Sequence, residues 1–197
     1  MCALQMPAKE KRVKPVIVAY QESWPEEFEA IAARLRAGLG ARALRIDHIG
    51  STAVPGLAAK DVIDVQVTVA ALDADVVRAM EALGYRQPEG VWRDHRPSQA
   101  AGPEADWAKL YFNPPPGQRP THTHVRARGR PNQRYPLLFR DYLRAHPATA
   151  AAYAELKRRL AAGLRDPDTY PEVKDPAVDL IYLAAEDWAA QTGWRDF

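Results

Sequence analysis

Apolar residues first recur at three- and four-residue steps, as Phe28, Ile31, Leu35 and Leu39, with Glu27, Arg34 and Arg36 left for solvent. That spacing predicts a helix over about 24–38, started by Ser23, Pro25 and Glu26 in a capping box and ended at Gly38 or Gly40. VIVAY (16–20), β-branched and aromatic, reads as a short strand before it. The period then changes to two. ALRIDHIG (43–50) reads as a strand running into a glycine turn, with its buried face left open by the alternation. In VIDVQVTVA (62–70) Val and Ile dominate and Asp64 is the only charge, the pattern of a central strand covered on both sides or nearly so. Asp73 caps a second helix with the stripe Val76, Val77, Met80 and Leu83, closed by Gly84.

Between 85 and 128 the pattern breaks into short candidate strands, YRQ, GVWRDH, DWAKLYFN and THTHVRAR, separated by turns of which NPPPGQRP (113–120) is the clearest. An antiparallel extension of the sheet is expected there. Helical spacing returns after Asn132, with Pro136 near the start of QRYPLLFRDYLRAH. Pro147 begins an alanine-rich helix carrying the stripe Tyr153, Leu156, Leu160 and Leu164, and Asp175 with Pro176 starts a last one. The expected fold is α/β (α+β): a small mixed sheet flanked by helices, with a helical C-terminal segment. Residues 1–15 read as a flexible basic arm, on Lys9, Lys11, Arg12 and Lys14, and 16–197 as a single domain.

Composition narrows the function classes. Lys and Arg number 27 against 25 Asp and Glu, so the formal charge is only +2, and bulk attraction to nucleic acid or anionic lipid is not the expected mode of action. The single cysteine, Cys2, excludes a disulfide framework and a thiolate metal cage. No segment approaches the roughly 18 uninterrupted apolar residues of a membrane span, and the opening has no export-type apolar core, so a cytoplasmic protein with no membrane partner is expected.

The chemistry concentrates in HIGSTAVPGLAAKDVIDVQV. At a tight Gly50–Ser51 turn no Cβ blocks Gly50, so backbone N–H groups and a hydroxyl can approach a phosphate. Thr52 extends the same turn. Asp64, in the neighbouring strand, is costly to bury unless it is paired or ligating, and a carboxylate placed there suits the Mg²⁺ that bridges such phosphates. No G-x-S-x-G elbow surrounds Ser51, which sets acyl transfer aside.

This stretch, with VAYQESWPEEFEAIAARL, EALGY, THTHV and LLFRDYLRAHPATAAAYAELKRRLA, resembles the GrpB family of the nucleotidyltransferase superfamily over about 18–165. The resemblance implies a polymerase-β-like nucleotidyltransferase fold, with Gly50 and Ser51 as the glycine-serine turn and Asp64 as the first catalytic carboxylate. It also implies that some family members are fused to dephospho-coenzyme A kinase. Two positions depart from the pattern. Gln66 stands where superfamily transferases carry a second acid, which puts two-metal catalysis in doubt, and Asp61 stands where the family usually has proline.

His122 and His124 fall two apart in a strand and so share a face, from which imidazoles can meet a metal or phosphate oxygens. They are candidate catalytic residues beside Asp64, and His122 a candidate metal ligand with it; a hydrogen bond to a sheet carboxylate is the bland alternative for either. Lys60 can reach a phosphate as a point charge. From Arg119 to Arg144 there are seven arginines and one acid, Asp141, and Arg140 is the favoured phosphate contact among them. Trp92, Trp107, Tyr111 and Phe112 can stack a base, although core packing is favoured for each alone. The function these residues predict is Mg²⁺- or Mn²⁺-dependent nucleotidyl transfer, or a related NTP-using transfer, from a nucleoside triphosphate to an unknown acceptor. A nucleotide-binding module that lost its chemistry with Gln66 is the alternative, and a nucleic-acid-binding surface ranks last.

Overall fold

Strand β2 (Ile63–Val69) is the spine of a mixed four-stranded sheet in the computed structural model, which describes residues 14–90, 93–97 and 99–196. The basic arm expected at 1–15 lies, apart from Lys14 and Pro15, outside the described residues, as does Trp92. The strand order is β1 (Arg45–Ile49), β2, β4 (Thr121–Ala127), β3 (Leu110–Phe112). β1 runs antiparallel to β2, β4 runs parallel to it, and β3 runs antiparallel to β4. The expected antiparallel extension therefore holds only for β3. β4 is parallel because the chain, after leaving β2 through helix α2 (Ala74–Ala82) and running back along β3, re-enters at the end where β2 began.

The pleat divides β2 into two chemistries. Ile63, Val65, Val67 and Val69 are buried against α2 and helix α1 (Trp24–Leu39), in a core built on Trp24, Phe28, Ile31, Leu35, Leu39, Val76 and Met80. Asp64 and Gln66 alternate with them and take the other side, where helices α3 (Pro131–Ala145), α4 (Pro147–Gly163) and α5 (Tyr170–Thr192) pack. These helices share a second core of Leu138, Phe139, Tyr142, Leu143, Tyr153, Val178 and Ala185 with Val54 and Leu57 of the loop after β1. The result is the expected mixed sheet flanked by helices with a helical C-terminal segment.

Asp73 caps α2 as predicted, accepting from the Val76 N–H at 2.9 Å. Ser23 does not make its capping box: its backbone is already helical and its hydroxyl bonds Glu27 at 2.7 Å instead. VIVAY is no strand. Only Val18 pairs, through one bridge to Ala59, because that segment meets a loop and leaves Val16 exposed. YRQ likewise reduces to a single bridge at Arg86, and among the described residues of GVWRDH a single bridge forms at Arg93. α5 begins at Tyr170, ahead of the expected start at Asp175, because Pro171 occupies its first turn and Pro176 is accommodated inside it. Pro136 is also inside a helix, α3 having begun at Pro131.

Candidate functional site

β1 ends at Gly50, whose φ of +71° and ψ of −169° suit glycine alone and turn the chain into the 3-10 turn Ser51–Ala53. The turn is tight against β2: a Cβ on Gly50 would land in the Asp64 carboxylate, 2.8 Å from its Cγ. Packing thus fixes the carboxylate beside the serine-bearing bend. His48, just upstream, is buried, stacks on Phe28 and bonds the Thr52 hydroxyl at 3.0 Å through Nε2. Burial lowers its pKa to about 4, so it is a neutral strut for the turn.

A cleft of about 430 Å³ opens here, between the polar side of the sheet and the start of α5 with the middle of α4. Ser51, Thr52, Lys60, Asp64, His122 and His124 all line it. Register explains the grouping, since parallel pairing sets Asp64 beside His122 and Gln66 beside His124. His122 Nδ1 lies 3.0 Å from Asp64 Oδ1. Donation to the carboxylate puts the proton on Nδ1 and leaves Nε2 as the basic nitrogen. Lys60 sits with its ammonium 4.2 Å from the centre of the Tyr170 ring.

Lys157 also enters the cleft, and sequence reasoning passed over it. Its Nζ donates to Ser51 Oγ at 2.8 Å and to the Ala58 carbonyl at 2.6 Å, and lies 4.7 Å from the Tyr153 ring centre. Only 3% of it is exposed. Burial, with Lys174 and Arg158 adding to it against Asp64, lowers its pKa to about 7. The signal was there: α4 buries Ala150, Tyr153, Ala154 and Lys157, a helical stripe with a lysine in it, whereas the stripe read from sequence followed Leu156, Leu160 and Leu164.

Asp94 was missed as well. Arg126 reaches it through Nε and Nη2, both at 2.8 Å, Lys109 at 2.7 Å and Asn132 at 3.0 Å. Burial pushes the Asp94 carboxyl up, but Arg126 and Lys109 overcome it and hold the group well below the usual carboxylate range. Burial lowers Lys109 against the opposing pull of Asp94. For His124 burial dominates, helped by Arg126 and Lys109, and keeps the ring neutral. The remaining Arg126 nitrogen, Nη1, donates to Gln66 Oε1 at 2.8 Å, and Gln66 Nε2 donates to the Gln133 carbonyl at 3.0 Å. Gln66 is fully buried, so the position of a second acid is filled by an amide locked to an arginine.

Arg140 does not reach the cleft, correcting its assignment as a phosphate contact. Its guanidinium is buried behind β1, donating to the His48 carbonyl at 2.9 Å and to Asp141 at 2.7 Å, because α3 packs its apolar face there and draws the side chain inward. Asp61 is held by Arg119 and by the Trp24 indole N–H, away from the cleft. Trp107 and Phe112 are core residues, whereas the Tyr111 ring lies 5.8 Å from that of His122 and 5.3 Å from that of His124. Among the described residues no group of three or more His, Cys, Asp or Glu gathers as a self-sufficient metal cage.

The GrpB protein family matches residues 14–183, most of the chain and all of the site. The chain belongs to that family. It is 40% identical over 197 residues to a dephospho-CoA kinase of Mycolicibacterium paratuberculosis, an alignment covering 91% of this chain and 48% of that protein. The chain thus spans about half the length of such curated relatives. It is 36% identical over 176 residues to the UPF0157 protein BH1888 of Halalkalibacterium halodurans, covering 86% of this chain and 81% of the relative. Among solved structures, the conserved protein GrpB from Enterococcus faecalis matches with a TM-score of 0.67 and 31% identity, over 88% of this chain and 99% of that one. The GrpB fold is therefore the fold described above.

Proposed function

We propose that this GrpB protein catalyses a metal-dependent nucleotidyl transfer, or a closely related NTP-using transfer, from a nucleoside triphosphate to an acceptor. The observation that carries this reading is the Asp64 carboxylate held against the Gly50–Ser51 bend at the mouth of a cleft whose walls supply Lys60, Lys157 and Lys174. Three ammonium groups and a serine hydroxyl are what a polyphosphate needs, and about 430 Å³ is within the range of nucleotide-sized sites. Ser51 and Lys157 hold the β- and γ-phosphates, Thr52 supports the bend, and Lys60 neutralises charge on the departing pyrophosphate.

One divalent cation fits. Mg²⁺ is commonly bound by one or two carboxylates with substrate phosphates and water completing its shell, and Asp64 meets that need. A second cation does not fit at Gln66, where the Arg126 guanidinium already sits. When bound, the single ion offsets phosphate charge and polarises the reacting phosphorus. His122, oriented by Asp64, offers its Nε2 to accept the proton of the acceptor hydroxyl.

The decisive experiment is Asp64→Asn. With the side chain 28% exposed, the substitution leaves the fold intact and abolishes Mg²⁺-dependent pyrophosphate release from ATP. Persistent release would refute the role of Asp64. The locked Gln66 favours a second reading, a GrpB module that binds nucleotide without turning it over. Calorimetry with ATP and Mg²⁺ beside the release assay separates the two, because binding without release selects the module. Of the seven arginines in 119–144, Arg119, Arg126, Arg130, Arg134, Arg140 and Arg144 donate to partners within the chain, which supports ranking the nucleic-acid reading last.

A further inference from the structure

The wall of the cleft beside Gln66 carries more positive charge than its own acid neutralises. Arg126 and Lys109, 4% and 9% exposed, both converge on Asp94. Two cations against one carboxylate leave an excess of one charge, and a buried charge without a counterpart is costly. Of the other acids lining the cleft, Asp64 is hydrogen-bonded to His122 and adds a weaker pull on Lys109 than Asp94 does, and Asp175 lies 3.8 Å from His95. All three guanidinium nitrogens of Arg126 are engaged by Asp94 and Gln66, which leaves Lys109 as the cation that faces the cavity.

Lys109 Nζ also lies 3.3 Å from His124 Nδ1. An ammonium has no lone pair to offer, so Nδ1 is the accepting nitrogen and the ring proton sits on Nε2. Lys109 and His124 therefore line the same wall as two N–H donors, with the Tyr111 ring 5.8 Å from Nζ and 5.3 Å from the imidazole. Two donors on separate side chains suit a tetrahedral oxyanion; a planar carboxylate is better matched by a guanidinium fork. This wall is separate from the Ser51–Lys157 contact but within the same cavity.

We propose that Lys109 and His124 form a second anion subsite, which binds a phosphate monoester carried by the acceptor. That the occupant is an acceptor rests on the transfer reading above; that the wall binds phosphate does not. The acceptor is then a phosphorylated alcohol, its phosphate on Lys109 and His124 and its hydroxyl toward His122, whose ring centre is 6.5 Å from that of His124.

The test is a titration of the intact, ¹⁵N-histidine-labelled protein with inorganic phosphate, followed by NMR at the His124 ring, with acetate as the parallel probe. His124→Gln, whose amide retains an N–H donor, assigns the signal and keeps phosphate affinity to within about threefold, read by calorimetry. A saturable shift of the His124 signals is expected with phosphate and not with acetate. Lys109→Met should weaken it about tenfold or more, a loss of one charge-assisted contact, and Lys157→Met should leave it in place. No His124 response in the native protein overturns the proposal, whether or not Lys109→Met folds; so does an equal response to acetate, or an unchanged one in folded Lys109→Met. A His124 response with no binding of ATP and Mg²⁺ would uphold the phosphate subsite while removing the nucleotide reading.

Discussion

Lys157→Met separates the electrostatics of the cleft from its packing. The wild-type ammonium is almost wholly buried, and its pKa of about 7 lies well below the ordinary lysine value. Between about pH 7 and 10 the unfolded chain holds a proton that the native protein has released. Stability therefore rises with pH through that window, by about 1.4 kcal/mol per unit and by about 5 kcal/mol in all. Below pH 7 both states are protonated and the full cost of burying the charge is present. Methionine matches the aliphatic stem and abolishes the titration, but it leaves the Ala58 carbonyl without its donor, which costs about 1–3 kcal/mol. At pH 6 the variant should thus be more stable than wild type by about 2 kcal/mol, and near pH 9 the order should reverse. Urea unfolding at unit pH steps measures this directly. The same substitution should weaken calorimetric binding of ATP with Mg²⁺ by about tenfold or more at pH 6.5, where wild-type Lys157 is charged. Parallel stability curves for the two proteins would refute the assignment of a buried, readily deprotonated lysine.

Gly50→Ala must force an L-residue into a glycine-only conformation and push its Cβ into Asp64, so urea unfolding should show a loss of about 2–4 kcal/mol, together with lost metal-dependent nucleotide binding. Gln66→Glu places a carboxylate against the Gln133 carbonyl and close to Asp94's network; it should not raise pyrophosphate release, and an increase would show that a second metal can enter. Asp94→Asn leaves Arg126 and Lys109 without their counter-charge and should cost about 3 kcal/mol at pH 7. Because the native Asp94 pKa is depressed, its contribution is present above about pH 4 and fades as pH falls further, so wild-type and variant stabilities should converge in acid.

Much of the scaffold was legible because its determinants are local. Period-3.6 stripes gave α1 and α4, the Asp73 cap gave α2, and the β-branched run around Asp64 gave the central strand. The Gly50–Ser51 bend and Asp64 were readable for the same reason: each is an anomaly within its own segment, a forced turn and a charge among apolar neighbours. Short segments without a period of their own were not. VIVAY has strand composition but only a loop to pair with, and the start of α5 depended on packing that a proline signal could not reveal.

What the sequence determined, then, is which segments become helix or strand and which residues are chemically out of place in them. Tertiary structure decided the partnerships. Only the parallel register of β4 on β2 brings His122 to Asp64 and His124 to Gln66, and only the docking of α4 brings Lys157 to Ser51, 106 positions away in the chain. Arg140 and Lys157 show the consequence together: both are cations on helices, yet one is drawn behind the sheet and the other into the cleft. Burial and pairing depend on what faces a side chain across space, and no local pattern encodes that neighbour.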